Sequence, residues 1–436
     1  MPLIAIYNPV CGDGTAQAFF EDHVLPLLSR YGKTIDKFVP TMYKGHAGQL
    51  VLDFVEDQVE GVAGDITVIL GSGDGTLHEI VNHLSSAVVK RPTPFPRLHF
   101  VIVPCGTANA LFSSLFVLQS DGGTPATAAY KLQSVNSYLY SSRIVPLTLA
   151  IARLSSHPNT HEHPQVAVSA VVMSTSLHAS ILNDSESLRQ EMPGIERPDN
   201  FVPRDERISN LVSRFKVAAS NNSARWYSSS VKLLPAPSVG TVQIYNPTSN
   251  TFTNHPDSDE DDPIVDLDGP FIYFLSTVNV DRLESTFRIT PLVRTIPPTE
   301  ASCDLLILRP LRDPSISRDH AQARDAFVPK LWNVLQNAYK DGQHINLKYN
   351  DSGDIVSSGD GPTVMEYFRC GGWEWIPVGQ QYRLDLIYKS LNFQEDTDKY
   401  AHLLCSDGTI FNIAKGGTVV CSAAMPEMAT GFVVYG

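Results

Sequence analysis

The sequence predicts an α/β unit built on a parallel sheet, followed by an antiparallel β-sandwich. Three observations carry that prediction. Before Leu115, three apolar runs each lead through a glycine-containing turn into a helical pattern. From about Arg143 onward helical periods become scarce and short β-rich runs dominate. The length of 436 residues exceeds one ordinary core and suits two, with 43% hydrophobic residues to fill them.

Leu3 to Tyr7 reads as the first strand, and Asn8-Pro9-Val10-Cys11-Gly12-Asp13-Gly14-Thr15 separates it from a helix carrying Phe19, Phe20, Val24, Leu27 and Leu28. Ile66, Val68, Ile69 and Leu70 form a continuous run rich in β-branched residues, as expected of a strand buried on both faces of a parallel sheet. The turn Gly71-Ser72-Gly73-Asp74-Gly75-Thr76 follows, and Leu77, Ile80, Val81 and Leu84 then recur at helical spacing. His99 to Val103 is a third strand, leading through Pro104-Cys105-Gly106-Thr107-Ala108-Asn109 into Ala110 and Leu111. Glycines admit backbone conformations closed to other residues, so amides at the helix starts can approach an anion. In a parallel sheet such carboxyl-end loops converge on one crevice, so the three turns are expected to share a ligand. The spacing matches neither the dinucleotide fingerprint nor the P-loop.

Asp74 is the odd member of this cradle. A carboxylate does not bind phosphate, so it points to a metal ion, a proton to be removed or an acceptor hydroxyl. The plainer alternative is an Asp-Gly turn in which Asp74 or Thr76 caps the helix.

The second half is read from its short strands: Val166 to Val172, Ser229 to Leu234, Phe271 to Val278, Cys303 to Leu308, Val364 to Arg369, Tyr382 to Ile387 and Thr418 to Cys421. One helix pattern interrupts them at Ala326, Leu331, Val334, Leu335 and Ala338. Trp373-Glu374-Trp375 reads as an aromatic strand packing on the core. The Pro-, Ser-, Asn- and Asp-rich segment at about 235–263, with the acidic run Asp257 to Asp262, is expected to be a disordered insertion. The boundary between units is placed at residues 142 and 143, giving 1–142 and 143–436.

A net charge of -13 argues against nucleic acid, which demands basic patches, and against general attraction to anionic membranes. The apolar runs fall short of the roughly 20 residues of a membrane-spanning helix. The N-terminus enters a strand at once, without a signal peptide's charged and apolar regions, so an intracellular chain is expected. The six cysteines show neither metal-ligand pairs nor a dense disulfide framework, which favours reduced thiols.

The ordered motifs resemble the diacylglycerol kinase catalytic-domain family, and lean toward its sphingosine kinase branch. Asn8-Pro9 with Gly12 and Gly14 is similar to the first motif, Ser72-Gly73-Asp74-Gly75-Thr76 with His78-Glu79 and Asn82 to the second, and Pro104-x-Gly106-Thr107-x-Asn109 to the third. Thr41 to His46-Ala47 resembles the segment between the first two. Ala179 to Arg189 contains a Ser-Glu-x-x-Arg run like the one that supplies a phosphate-binding arginine, and Ser406-Asp407-Gly408-Thr409 stands where the family has Asp-Gly-Glu.

The resemblance implies a phosphofructokinase- and NAD kinase-like nucleotide domain, a lipid-binding β-sandwich, and a cleft between them. It implies ATP and Mg²⁺ as cofactors, held by Asn8, Gly12, Gly14, Thr41, Ser72, Gly73, Gly75, Thr76, Glu79, Gly106, Thr107, Arg189 and Asp407, with Asp407 also the metal ligand. Asp74 inherits the role of the base that deprotonates a lipid primary hydroxyl, while Ser180 and Asp184 fall on the lipid-recognition segment. Implied partners are a lipid substrate and a transient, peripheral membrane contact, and a homodimer is compatible with the family. The acceptor is a sphingoid base, with diacylglycerol or ceramide as the alternative; a non-catalytic nucleotide- and lipid-binding protein and a soluble-metabolite kinase are the readings from other classes. Asp13 and Thr15 stand where sphingosine kinases carry lysines, Ser180 where they carry a head-group aspartate, and Thr409 in place of the glutamate. His78 is read as structural, one turn along the helix from Asp74.

Overall fold

The structure, a computed structural model, describes residues 1–59, 64–88, 95–118, 127–141, 143–155, 165–191, 214–378, 398–425 and 431–436. The strand expected at Tyr382 to Ile387 lies outside them. A parallel sheet is built from β1 (Leu3–Tyr7), β2 (Lys37–Pro40), β3 (Ile66–Ser72) and β4 (Leu98–Pro104), in the order β2-β1-β3-β4. Every residue of β1, β3 and β4 is buried, because helices cover both faces. Alternate side chains serve different cores: Ile4, Ile6, Val68 and Leu70 pack with helices His46–Val59 and Asp74–Val88, whereas Leu3, Ala5, Ile69 and Val101 pack with the segment Ala16–Arg30. That segment is helical with a π turn at Phe20–Val24, just before Pro26. Proline has no N–H to donate and crowds the carbonyl four residues back, and a wider turn relieves both.

Two further strands join this sheet from distant sequence. Phe432–Tyr435 runs parallel to β4 and is flanked on its other side, antiparallel, by Ile144–Pro146. Residues on the far side of the expected 142/143 boundary thus take part in the first sheet. All of Phe432–Tyr435 is buried, and the burial accounts for the placement.

Apart from the short pair Lys348–Tyr349 and Ile355–Val356, the remaining strands among the described residues form two antiparallel sheets. One has eight strands in the order Thr251–Asn254, Gln243–Asn246, Glu366–Cys370, Cys303–Leu308, Tyr273–Thr277, Val172–Thr175, Leu403–Ser406, Thr409–Asn412. The other has six: Val265–Asp268, Ser229–Leu234, Gly372–Pro377, Val419–Ala424, Leu149–Leu154, Gln165–Ser169. Their facing sides share a core in which the Phe274 ring lies 5.0 Å from Trp373 and 5.2 Å from Trp375, so both tryptophans are packing residues. The chain passes from one sheet to the other at a corner over Ser169 to Val172.

The segment at 235–263 is ordered, contrary to its composition. Gln243–Asn246 and Thr251–Asn254 form a hairpin, and Phe252 packs edge-on against Tyr367 with ring centroids 5.5 Å apart. The acidic run turns on its own atoms: the Asp259 carboxylate accepts from the amides of Asp261 at 2.9 Å and Asp262 at 2.8 Å. Buried Ser258 donates to the Pro263 carbonyl and accepts from the Val242 amide.

The parallel unit and the sandwich meet through directed hydrogen bonds. Asn82 of the Asp74–Val88 helix donates to the Val168 carbonyl at 2.6 Å and accepts from the Val168 amide at 2.8 Å. Asn279, in the left-handed region at φ 63°, bridges the carbonyls of Thr148 and Ala170. No helix among the described residues is long and apolar enough to cross a membrane.

Val434, fully buried in the strand between β4 and Ile144–Pro146, tests the completion of the parallel sheet by the chain's end. Val434→Ala should lower unfolding free energy by about 2 kcal/mol, from lost burial plus a residual cavity. Denaturant titration checks this, and an unchanged midpoint would remove the strand from the core.

Candidate active site

The three glycine turns lie at the carboxyl ends of β1, β3 and β4 and interlock. The Asn8 amide donates to the Gly71 carbonyl at 3.0 Å, and the Cys105 amide to the Ser72 carbonyl at 3.2 Å. Cys11 Sγ sits 3.3 Å from the Cys105 carbonyl oxygen. Two contacts admit glycine alone. Gly12 has φ 53°, and a Cβ there would fall 2.2 Å from the Cys105 oxygen. A Cβ on Gly106 would fall 2.5 Å from the Gly73 Cα. The turns thus meet backbone to backbone, while Val10, Gly14, Thr15, Gly75, Thr107 and Ala108 face solvent. The space over Gly75 is open, and small residues at the crests leave room for a phosphate chain.

Asp74 opens the Asp74–Val88 helix from the middle turn and reaches across to the third. Its Oδ2 accepts from the Ala110 amide at 2.6 Å and its Oδ1 from the Leu111 amide at 3.2 Å, both at the start of helix Ala110–Leu115. Burial raises its pKa to about 7, those two amides oppose the rise, and the charge of Asp407 adds to it. A carboxyl that ionises near neutrality suits a general base. Ser72 Oγ and Thr76 Oγ1 share a hydrogen bond of 2.6 Å behind it. Asn109 holds the third turn by donating to the Gly106 carbonyl at 2.8 Å.

Asn8 caps its own turn, its Oδ1 accepting from the Val10 amide at 3.1 Å. Gly14 holds φ 74° and donates its amide to Cys11. Thr41 is buried, its amide bonded to the Tyr7 carbonyl, which brings the 41–46 segment beside the first turn. Glu79 is half-buried on the Asp74–Val88 helix; burial raises its pKa, opposed by the Gly45 amide and the charges of Lys44 and His78. Both thiols among the turns are pushed up by burial, Cys11 to about 11 and Cys105 to about 12, so neither is a nucleophile at neutral pH.

The residues expected from the second half are placed less uniformly. Ser180 is fully buried: its hydroxyl donates to the Ser176 carbonyl at 2.9 Å and accepts from Tyr227 at 3.0 Å. Asp184, on the same helix Ser176–Glu191, accepts from Asn222 at 2.7 Å and from Asn183 at 3.1 Å. Arg189 lies on that helix, with its side chain outside the described atoms.

Asp407 is engaged by the fold. Its Oδ1 accepts from Ser169 Oγ at 2.5 Å and from the amides of Val171 and Val172 at 3.1 and 2.7 Å, and its Oδ2 accepts from the Ala170 amide at 2.8 Å. Its side chain is 1% exposed, with His78 Nδ1 3.4 Å away. Among the described residues no cluster of three or more His, Cys, Asp or Glu is arranged to hold a metal ion.

The sequence reading missed Lys131, from helix Ala128–Lys131. Its ammonium lies 5.3 Å over the Phe19 ring, and its positive charge opposes the rise that burial imposes on the Cys11 and Cys105 thiols. No motif marks it, because the helix that delivers it lies outside all three turns.

Residues 2–137 match the diacylglycerol kinase catalytic domain. Sphingosine kinase 2 of Homo sapiens is 32% identical over 159 residues, 35% of this chain and 22% of that protein. Sphingoid long chain base kinase 5 of Saccharomyces cerevisiae (strain ATCC 204508 / S288c) is 31% identical over 112 residues, 25% of this chain and 15% of its own. The matches thus span under a quarter of either relative's length. Among solved structures, a putative diacylglycerol kinase from Bacillus anthracis str. Sterne aligns over 100% of this chain and 96% of its own, at 12% identity and a TM-score of 0.46.

A carboxyl with a raised pKa holds its proton more tightly folded than unfolded. Its penalty is therefore absent at low pH, grows as pH rises from the usual aspartate range, and is complete above about 7. Asp74→Asn, neutral at every pH, should raise the melting temperature at about pH 8 and have a smaller effect near pH 4. Calorimetry at both pH values checks this, and a variant that melts below the parent at pH 8 would contradict the assigned environment.

Proposed function

We propose that this chain, whose first third is a diacylglycerol kinase catalytic domain, transfers the γ-phosphoryl group of ATP to the primary hydroxyl of a sphingoid base or a related long-chain lipid alcohol. The observation that carries the reading is Asp74: a carboxyl that ionises at about 7, held by two amides among interlocked turns whose crests are open.

Asp74 acts on the acceptor. The Ala110 and Leu111 amides fix its plane, and its free lone pairs accept the hydroxyl proton as the oxygen approaches phosphorus in line. The γ-phosphorus–oxygen bond to the nucleotide breaks, the bond to the lipid oxygen forms, and the proton passes to Asp74. Phosphoryl transfer proceeds through a loose transition state, so positioning and charge stabilisation matter more than base strength. Charge on the phosphates is met by amides at Asn8, Gly12, Gly14, Ser72 to Thr76, Gly106 and Thr107, by Lys131, and by Arg189. Lys131 replaces the first-turn lysines, whose positions Asp13 and Thr15 occupy. Thr41 and Glu79 border the same nucleotide site. Mg²⁺ belongs to this reading as a companion of the nucleotide phosphates, without Asp407.

The helix Ser176–Glu191 is the lipid-reading element, and a peripheral contact with the bilayer delivers the substrate. A second acceptor class is favoured by Ser180. Its hydroxyl is spent on Ser176 and Tyr227, which leaves no anion at that position for a sphingoid ammonium and suits a neutral acceptor such as diacylglycerol or ceramide.

Transfer from labelled ATP to sphingosine, dihydrosphingosine, diacylglycerol and ceramide decides between these acceptors, and no product from any of them would defeat both. In the same assay Asp74→Asn should lose on the order of 10²–10⁴-fold in kcat, the worth of a positioned base. The parent's kcat/KM should fall as pH drops below about 7, as Asp74 takes up its proton. Lys131→Ala should raise the KM for ATP about tenfold, one desolvated charge contact being worth about 1.4 kcal/mol, with little change in the KM for lipid.

A further inference from the structure

Asp407 occupies the turn between Leu403–Ser406 and Thr409–Asn412 with φ 45°, a left-handed conformation rare for an aspartate, and its amide donates to the Val172 carbonyl at 2.9 Å. Its carboxylate takes the three successive amides of Ala170, Val171 and Val172 together with Ser169 Oγ. Those four residues are the corner at which the chain leaves the six-stranded sheet for the eight-stranded one, and Val172–Thr175 then runs directly into the helix Ser176–Glu191. On the facing helix, Asp74, His78 and Asn82 stand four residues apart and share one side. His78 reaches Asp407, and Asn82 pairs with both backbone groups of Val168 at 2.6 and 2.8 Å, as a neighbouring strand would. The Asn82 side-chain amide also donates to the His78 carbonyl at 2.9 Å, which ties the two residues within one helical turn.

We propose that His78, Asn82 and Asp407 form an interdomain latch, positioning residues that set where Asp74 stands relative to the helix Ser176–Glu191, and that Asp407 serves this latch instead of binding a metal. The proposal rests on the reading of Asp74 as the base. Its physical basis is that every partner is a backbone group or a buried side chain: the corner cannot move without breaking several hydrogen bonds at once, and an unpaired buried carboxylate is costly. The latch lies one and two helical turns below Asp74, so a shift at Asn82 carries along a rigid helix to the carboxylate.

The test uses the full chain and three variants, Asn82→Ala, Asp407→Asn and the milder Ser169→Ala, which removes one donor and keeps the three amides. Steady-state kcat and KM for ATP and for lipid, the Mg²⁺ concentration for half-maximal rate, and amide hydrogen exchange over Val168 to Val172 are measured for each. Asn82→Ala and Asp407→Asn should lose on the order of 10–100-fold in kcat, as a misplacement of about 1 Å does, with KM for ATP and the Mg²⁺ dependence unchanged. Exchange at Val168 to Val172 should accelerate, and Ser169→Ala should show the same pattern more weakly. Unchanged exchange in Asn82→Ala and Asp407→Asn overturns the latch, as does a tenfold or larger rise in the Mg²⁺ requirement of Asp407→Asn, the mark of a metal ligand. Asp74→Asn keeps the two readings apart: if it stayed active the base assignment would fall, while the exchange data would still judge the latch.

Discussion

The amides of Ala110 and Leu111 hold the carboxylate of Asp74, and they can do so only because Gly73 and Gly106 let two turns touch. A side chain on Gly106 would strike the Gly73 backbone, and one on Gly12 would strike the Cys105 carbonyl, so neither joint tolerates a Cβ. From these joints follows the rest of the site. The first and middle turns close on the third, the crests stay free of bulk, and the acid enters a desolvated position where ionisation is delayed to about pH 7. The glycines act here through proximity more than through flexibility.

Two aspartates illustrate how environment divides the same functional group. Asp74 and Asp407 both accept backbone amides. Asp74 accepts two, one on each oxygen, and is half-buried. Asp407 accepts three amides and a hydroxyl and is 1% exposed. One is left able to exchange a proton; the other organises a corner. Their charges still interact, since Asp407 helps to keep the Asp74 proton in place.

The charge balance around the turns follows the same logic of placement. A chain of net charge -13, with Asp13 in its first turn, needs positive charge brought to any phosphate it binds. Lys131 arrives from a short helix that packs against Phe19, outside the turns themselves. The structure also uses acidity without disorder: the Asp257 to Asp262 run folds on its own amides, and the adjoining hairpin is anchored by Tyr245, Phe252 and Tyr367.

Local pattern was enough to read β1, β3 and β4, the helix that begins at Asp74 and the turns at the strand ends, because an apolar run followed by glycine and a helical period is a property of neighbouring residues. The same holds for Trp373 and Trp375, whose alternation marks a core strand. What could not be read locally depends on partners far along the chain. Phe432–Tyr435 completes the first sheet because an open edge beside β4 is there to receive it. The hairpin inside 235–263 is ordered by aromatic packing that its polar composition conceals. A motif records which residue stands at Asp407 and Ser180, but whether their oxygens remain free is decided by Ser169 to Val172 and by Tyr227, which only folding brings within hydrogen-bond distance. Sequence determined the chemistry available to each side chain; tertiary structure decided which of those groups is already spent, since a lone pair satisfied inside the fold is lost to a ligand.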